Sequence, residues 1–320
     1  MEEPSLGVRL AGPYHFGTVE RVIRDLTPLF LVDHPIKLRL DLTSLTFVSP
    51  AALALLIAAV RRVEDLKLVD EGTVYMPQAA GIHRYLLRMD FLRQLYHGAT
   101  TAEPFERKPS VGFRECRHFD SPATYPEVRR QLADAIAERC QIDEVSKGSL
   151  HVALDEVCEN VLHHAGTGLG GFAAAQALTS KPVMEIAIAD LGIGIRASLA
   201  KNPDYRDVAS DVSAITTALR PRVSSTPERN SGIGLFVTSL LLTYNGGEIL
   251  VRSGRGAVFQ GSRVAELERE AVLPGTLVVL RVRTDRALDI NEVYRGLDRA
   301  IKVLEPDADH QGDHADAPSR

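Results

Sequence analysis

The sequence predicts a mixed α/β (α+β) protein built from two domains. Its 320 residues are enough for two domains of ordinary size. Stretches of alternating or β-branched apolar residues, typical of strands, are interspersed with apolar residues at helical spacing. The polar, proline-bearing stretch GATTAEPFERKPS at 98–110 separates the two halves.

The first domain, residues 1–98, is predicted to combine three strands with three helices. The strands are GVRLAG, KLRLDL and LKLVDEGTVYM, and the helices are VERVIRDLTPLF, AALALLIAAVRRVED and IHRYLLRMDFLRQLY. The apolar run AALALLIAAV is too short to cross a bilayer, so we expect no membrane association.

A linker at 99–115 leads to the second domain, residues 116–285. Its predicted order is two helices at 124–141 and 144–165, strands FAAAQAL and VMEIAIAD, a polar stretch at 196–230, the helix GLFVTSLLLTYN, and strands EILVRSG, AVFQGSRV and TLVVLRV. A glycine pair after the last helix suits a C-cap. A helix at 286–304 and a disordered, charged tail at 305–320 complete the prediction.

The composition narrows the functional classes. Lys and Arg number 37 against 42 Asp and Glu, and the basic residues are dispersed, so nucleic acid is not an expected partner. Cys116, Cys140 and Cys158 form no paired framework, which suits a reducing compartment. The N-terminal residues lack the pattern of a signal peptide. We therefore expect a cytoplasmic protein.

Glycine motifs give two contrasting signals. GTGLGG at 166–171 formally matches GxGxxG, but a helix precedes it and a strand follows, the reverse of a dinucleotide-binding fingerprint, so we interpret it as a turn. In SGIGLF, by contrast, Gly232 and Gly234 open a helix, where free backbone N–H groups and the positive end of the dipole suit phosphate.

Polar residues supply the candidate ligand contacts. Glu156 and Asn160 lie four residues apart on one predicted helix, so they can converge on one ligand. Asp190 ends an apolar strand in ADLGIGI and can accept a hydrogen bond from an exocyclic amine. Gly192 and Gly194 after it let a planar base approach the backbone. A Glu156 that merely faces solvent is the alternative interpretation.

These motifs, in this order, resemble the GHKL (Bergerat-fold) ATP-binding superfamily over residues 120–285. The resemblance implies an α/β sandwich that binds ATP between helices and sheet, with 196–230 as a mobile lid. It implies the following roles: Mg²⁺ on Asn160, the adenine amine on Asp190 with help from Thr276, the base against Gly192 and Gly194, and phosphate on Gly232 and Gly234.

Glu156 determines how catalytic such a site is. A carboxylate four residues before the Mg²⁺ ligand can orient or deprotonate water or a serine hydroxyl. The spacing is similar to that of the anti-sigma-factor serine kinases, and also to the gyrase and chaperone ATPases of the superfamily. It departs from typical sensor histidine kinases, and His163 and His164 are predicted to cap the helix rather than accept phosphate.

The first domain resembles a STAS domain, the fold of anti-sigma-factor antagonists. LDLTSLTFVSPAALALLIAAVRR and MPQAAGIHRYLLRMDFLRQL carry the resemblance. Where that family often has Asp-Ser-Ser-Gly, this chain has Ser49, Pro50, Ala51 and Ala52. Ala51, at the phosphoacceptor position, has no hydroxyl, and Ser49 suits a helix N-cap before Pro50. We predict that this domain has lost the phosphorylation switch and kept the fold.

The combined prediction is a regulatory protein that binds ATP and Mg²⁺. Serine/threonine phosphorylation of a separate regulatory protein, itself STAS-like or sigma-factor-like, is the leading hypothesis, and a homodimer is possible. The alternatives are slow ATP hydrolysis as a conformational switch and a nucleotide-gated interaction module without turnover. Glu156 separates the last of these from the others, since it is the evident base.

Overall fold

The computed structural model describes residues 4–96, 113–140, 144–164, 168–178, 180–227, 232–288 and 290–304. The predicted tail at 305–320, most of the predicted linker and the side chains of His163 and His164 lie outside the described residues. The fold is mixed α/β, as predicted, with parallel strands in the first domain and an antiparallel sheet in the second.

The N-terminal domain places helices against a small parallel sheet. Its strands are β1 (Ser5–Arg9), β2 (Gly12–Tyr14), β3 (Ile36–Asp41), β4 (Leu45–Val48) and β5 (Val69–Tyr75), and its helices are α1 (Val19–Phe30), α2 (Pro50–Asp65), α3 (Ala80–Arg88) and α4 (Phe91–Leu95), with a 3-10 turn at Phe16–Thr18. The sheet order is β1-β3-β5, and β2 pairs with β4.

One predicted helix of this domain is wrong in detail. The segment IHRYLLRMDFLRQLY forms two helices, because the backbone at Asp90 is left-handed, with φ of 58°. Periodicity alone does not reveal such a break, since apolar residues continue on both sides of it. The predicted N-cap is confirmed: the Ser49 hydroxyl accepts the Ala52 N–H at 3.4 Å, and Pro50 occupies the first position of α2.

The C-terminal domain is built on a five-stranded sheet in the order β6-β7-β8-β10-β9. Its strands are β6 (Phe113–Phe119), β7 (Gly171–Ala177), β8 (Val183–Asp190), β9 (Glu248–Gln260) and β10 (Val264–Arg283). Its helices are α5 (Tyr125–Cys140), α6 (Glu144–His164), α7 (Gly194–Leu199), α8 (Asp211–Ala218), α9 (Gly234–Asn245) and α10 (Ile290–Leu304), with a 3-10 turn at Pro203–Tyr205.

Several expectations for this domain need correction. The three predicted C-terminal strands are two long ones, because β9 continues from EILVRSG through Gly254 and Gly256 to Gln260, and the turn to β10 lies within the predicted strand AVFQGSRV. The polar stretch at 196–230 contains α7 and α8. The first strand, β6, begins at Phe113, inside the expected linker. The order of helix then strand around GTGLGG is confirmed, since α6 ends at His164 and β7 begins at Gly171.

The two faces of the large sheet belong to different cores. Alternate residues of a strand point to opposite faces. Ile186 and Ile188 of β8 pack in the core beneath α5, α6 and α9. Ala187 and Ala189 pack in a core shared with the N-terminal domain. The sheet is therefore a central layer, with one hydrophobic core on each of its faces.

Helix α2 is the element that joins the two domains. It is buried along nearly its whole length and packs against β7 and β8. Such all-round apolarity is typical of a helix enclosed by protein. Among the described residues, no helix is long and apolar enough to traverse a bilayer.

An ion pair also crosses between the domains. The fully buried Arg252 on β9 donates from Nε to Glu20 of α1 at 2.8 Å. Its remaining guanidinium N–H groups donate to backbone carbonyls, including that of Gly256 at 3.1 Å, and to the second carboxylate oxygen of Glu20 at 3.4 Å. A buried guanidinium requires such complete pairing, because an uncompensated buried charge is strongly destabilising.

Candidate functional site

One pocket brings most of the predicted site residues together. It lies between α6, α9 and the face of the sheet that these helices cover. Its empty volume is about 880 Å³, which includes the open solvent at its mouth. The predicted residues that line it are Glu156, Asn160, Asp190, Gly194, Gly232, Gly234 and Thr276.

Asp190 supplies a buried carboxylate to this pocket. It ends β8, directly opposite Thr276 of β10, and it is 5% exposed. Burial raises its pKa to about 7, while the Gly192 N–H and the amide and hydroxyl of Thr276 act in the opposite direction. The carboxylate is thus held by protein donors and still borders the cavity, which suits the recognition of a ligand N–H group.

The glycines around Asp190 have distinct structural roles. Gly192 does not line the pocket; its N–H donates to Asp190 Oδ1 at 2.8 Å and so fixes the carboxylate. Gly194 and Gly275 adopt φ of +77° and +92°, which favours glycine. A Cβ at Gly275 would lie 2.3 Å from the Asp190 carbonyl oxygen, so the two strand ends could not approach as they do.

Glu156 and Asn160 face the pocket from one turn of α6. Burial raises the pKa of Glu156, and repulsion from Glu159 and Asp155 adds to the rise. Those two neighbours are themselves paired outside the pocket. Asp155 accepts from Arg129, and Glu159 accepts from the Tyr125 hydroxyl at 2.8 Å. Glu156 is therefore the carboxylate of this acidic cluster that is available to the cavity, with raised basicity.

Gly234 lines the pocket, where its predicted phosphate contact stays a prediction, and it also has a steric role in the fold. A Cβ at this position would lie 2.0 Å from the Cβ of Glu156. Helices α6 and α9 therefore cross in contact at this glycine. Gly232 has φ of +65°, and a Cβ there would lie 2.5 Å from the Val223 carbonyl oxygen.

The segment predicted as a lid forms one wall of the pocket. Ser198 of α7 and Ser224 and Ser225 after α8 line it. This wall is tied down by two hydrogen bonds: Asn202 Nδ2 donates to the Ser224 carbonyl at 2.9 Å, and the Val223 N–H donates to the Gly232 carbonyl at 3.2 Å. Sequence reasoning missed these serines, since a polar loop gives no periodic signal that fixes which hydroxyls turn inward.

The chemistry of the pocket fits a magnesium nucleotide. The Asp190 carboxylate borders the pocket and suits the amine of a base. Asn160 offers one amide oxygen, and Mg²⁺ commonly takes only one or two protein ligands together with phosphates and water. Among the described residues no cluster of three or more His, Cys, Asp or Glu side chains could hold a metal ion.

Comparison with known families supports this class of site. Residues 120–243 match the family described as the histidine kinase-like ATPase domain. This finding confirms the GHKL part of the predicted resemblance and, with it, an ATP-binding class of domain. The match ends before β9 and β10, so Thr276 lies beyond it. No curated protein matches the chain.

Proposed function

We propose that this chain is an ATP- and Mg²⁺-dependent regulatory protein that phosphorylates a serine or threonine of a partner protein. The single observation that carries the proposal is the convergence of Glu156, Asn160 and Asp190 on one pocket. Asp190 binds the adenine amine, and Asn160 holds Mg²⁺. When bound, Mg-ATP supplies the phosphoryl group and neutralises the charge that develops on it.

Glu156 is the general base of the proposed reaction. It accepts the proton of the incoming hydroxyl as the oxygen attacks the γ-phosphorus and ADP leaves. The raised pKa of Glu156 strengthens it as a base. The same residue can activate water, so slow ATP hydrolysis is the second candidate reaction, and a binding module without turnover is the third.

The N-terminal domain is proposed as a STAS-like partner held in cis. Two observations support this: Ala51 has no phosphorylatable oxygen, and Ser49 and Ala51 are both buried against the sheet of the ATP-binding domain. A domain fixed in this way acts as a passive dock rather than a switch. The phosphorylated protein is therefore a separate regulatory partner, STAS-like or sigma-factor-like, and a homodimer is compatible with this arrangement.

The experiment is incubation of the protein with γ-labelled Mg-ATP and a cell lysate. The proposal predicts label on a protein; free phosphate indicates the ATPase, and neither product indicates the binding module. Glu156→Ala should lower turnover by about 10²–10⁴-fold and leave ATP binding largely intact.

The matched control is Glu159→Gln. Glu159 lies on the same helix, but it bonds Tyr125 and does not line the pocket, so turnover should stay near the wild-type rate. An equal loss of ATP affinity in Glu156→Ala would show that Glu156 supports the ligand instead of the reaction.

A further inference from the structure

Ser253 of β9 is a buried hydroxyl that lies behind the pocket. It is 2% exposed and does not line the cavity. Its Oγ accepts the Ile195 N–H at 3.0 Å and donates to the Gly275 carbonyl at 2.8 Å. The Thr276 hydroxyl lies 3.5 Å from the same oxygen, while its one proton is donated to the Asp190 carboxylate. One side chain therefore contacts the start of α7 and the turn before Thr276.

Two short hydrogen bonds fix the orientation of this hydroxyl. A serine hydroxyl has one proton to donate and two lone pairs to accept with. Gly275 takes the proton and the Ile195 N–H uses one lone pair, while the Thr276 oxygen lies near the other. Alanine would leave a buried N–H and a buried carbonyl unpaired, which costs more than the bonds themselves contribute.

The groups that Ser253 holds are those that surround Asp190. Ile195 follows the turn that carries Gly192, whose N–H fixes the Asp190 carboxylate. Thr276 pairs with Asp190 across β8 and β10 and helps to hold down its pKa. The space beside Ser253 is also restricted, since a Cβ at Gly194 would lie 2.8 Å from its Oγ.

We infer that Ser253 is a positioning residue that sets the selectivity of the pocket for the exocyclic amine of adenine. This inference rests on the proposed nucleotide site and goes beyond it. Ser253 touches no ligand. It holds two turns in register, so that the Asp190 carboxylate and the Thr276 hydroxyl meet the base edge together. The triphosphate end of the pocket, near Gly232, does not depend on it.

The test measures the affinity of the full-length protein, with Mg²⁺, for ATP and for purine riboside triphosphate, which lacks the amine. The wild type should prefer ATP by about tenfold or more, the contribution of one hydrogen bond to a charged group. Ser253→Ala should lose most of this preference through weaker ATP binding, with the affinity for the analogue nearly unchanged. A merely structural serine would lower both affinities alike.

The matched control is Ser239→Ala, which removes a buried hydroxyl of α9 that bonds Gln260 outside the pocket. It should keep the wild-type preference. If Ser253→Ala does not fold, Ser253→Cys preserves the packing with a weaker hydrogen-bonding group and should also lose preference.

A wild-type preference in the folded Ser253 variant overturns this inference alone. A wild-type protein that binds neither nucleotide overturns the proposed function itself.

Discussion

Two buried carboxylates on β8, Asp190 and Glu185, occupy opposite faces of the sheet and have different surroundings. Burial raises the pKa of both. Asp190 borders the pocket. Glu185 is covered by the N-terminal domain, where the Ser49 hydroxyl, the Ala51 amide and the more distant Arg281 counteract the rise. The same chemical group is open to a ligand on one face and closed by the protein on the other.

Residue size along β8 explains why one face is closed. The helix-covered face carries Ile186 and Ile188, and a cavity remains where the helices diverge from the strand end. The other face carries Ala187 and Ala189, and α2 presents five alanines in its first ten residues, Ala51, Ala52, Ala54, Ala58 and Ala59. Small residues on both sides allow close packing, which leaves little room for a ligand.

A buried carboxylate therefore indicates a binding site only together with a cavity. Glu185 lies at the N-terminal end of α2, where the helix dipole and free N–H groups favour negative charge. Its role is to join two domains. Asp190 has comparable protein donors but borders the pocket at the end of its strand, and that position is why we propose it as the ligand-binding group.

The largest expected effect concerns the helix-covered face. Gly234→Ala places a methyl group against Glu156 and should destabilise the protein by about 1–3 kcal/mol through overpacking. Gly148→Ala, in α6 with open space around it, should instead stabilise by about 0.4–1 kcal/mol. Urea unfolding measures both. Equal effects would show that the close crossing of α6 and α9 does not constrain position 234.

The pH dependence of ATP affinity should be somewhat smaller. Asp190 is largely ionised at pH 8 and largely protonated at pH 6, because its pKa is about 7. A protonated carboxyl is a poorer acceptor for the adenine amine, so ATP should bind about tenfold more weakly at pH 6. Calorimetry measures the affinity for ATP and, in parallel, for purine riboside triphosphate, which lacks the amine. The ratio of the two affinities removes the pH dependence of triphosphate binding.

The folding stability of the protein should change with pH in the opposite direction to its ATP affinity. Because the folded-state pKa of Asp190 is raised, its stabilising contribution is present at low pH and is lost as the pH rises through 7. Protein without nucleotide should therefore lose stability as the pH rises from about 4, near the ordinary pKa of an aspartate, to about 7. If ATP affinity did not change between pH 6 and pH 8 after the analogue correction, Asp190 would not be the adenine contact.

The smallest effect concerns the closed face. Ser49→Ala should cost about 1 kcal/mol or slightly more, from the lost N-cap and the lost donor to Glu185. Ser210→Ala removes the comparable N-cap of α8 without a buried carboxylate beside it and should cost no more than that. ATP chemistry should be unchanged in both variants.

Mass spectrometry of the wild type with Mg-ATP should find no phosphate on residues 43–52. Stoichiometric phosphate on Ser49 that disappears in Glu156→Ala would mean that the N-terminal domain is a switch and not a passive dock.

Local patterns predicted much of this molecule, and long-range packing decided the rest. Helical spacing placed Glu156 and Asn160 on one face, and the strand-end motif identified Asp190. The role of Gly234 depends on a helix crossing, and Ser253 acts through turns that lie far from it in sequence. Neither relation leaves a periodic signal. The burial of α2 between two domains likewise depends on a sheet that lies more than a hundred residues away in sequence.

Calorimetric titration of Mg-ATP into Asp190→Asn and Glu185→Gln separates the pocket from the closed face, because the two variants make the same chemical change on opposite faces of one strand. We predict that Asp190→Asn loses about a hundredfold in affinity, the size of a buried hydrogen bond to a charged group. We predict that Glu185→Gln binds ATP nearly as the wild type does. Wild-type affinity in Asp190→Asn, or an equal loss in both variants, would contradict the assignment of this pocket to adenine recognition.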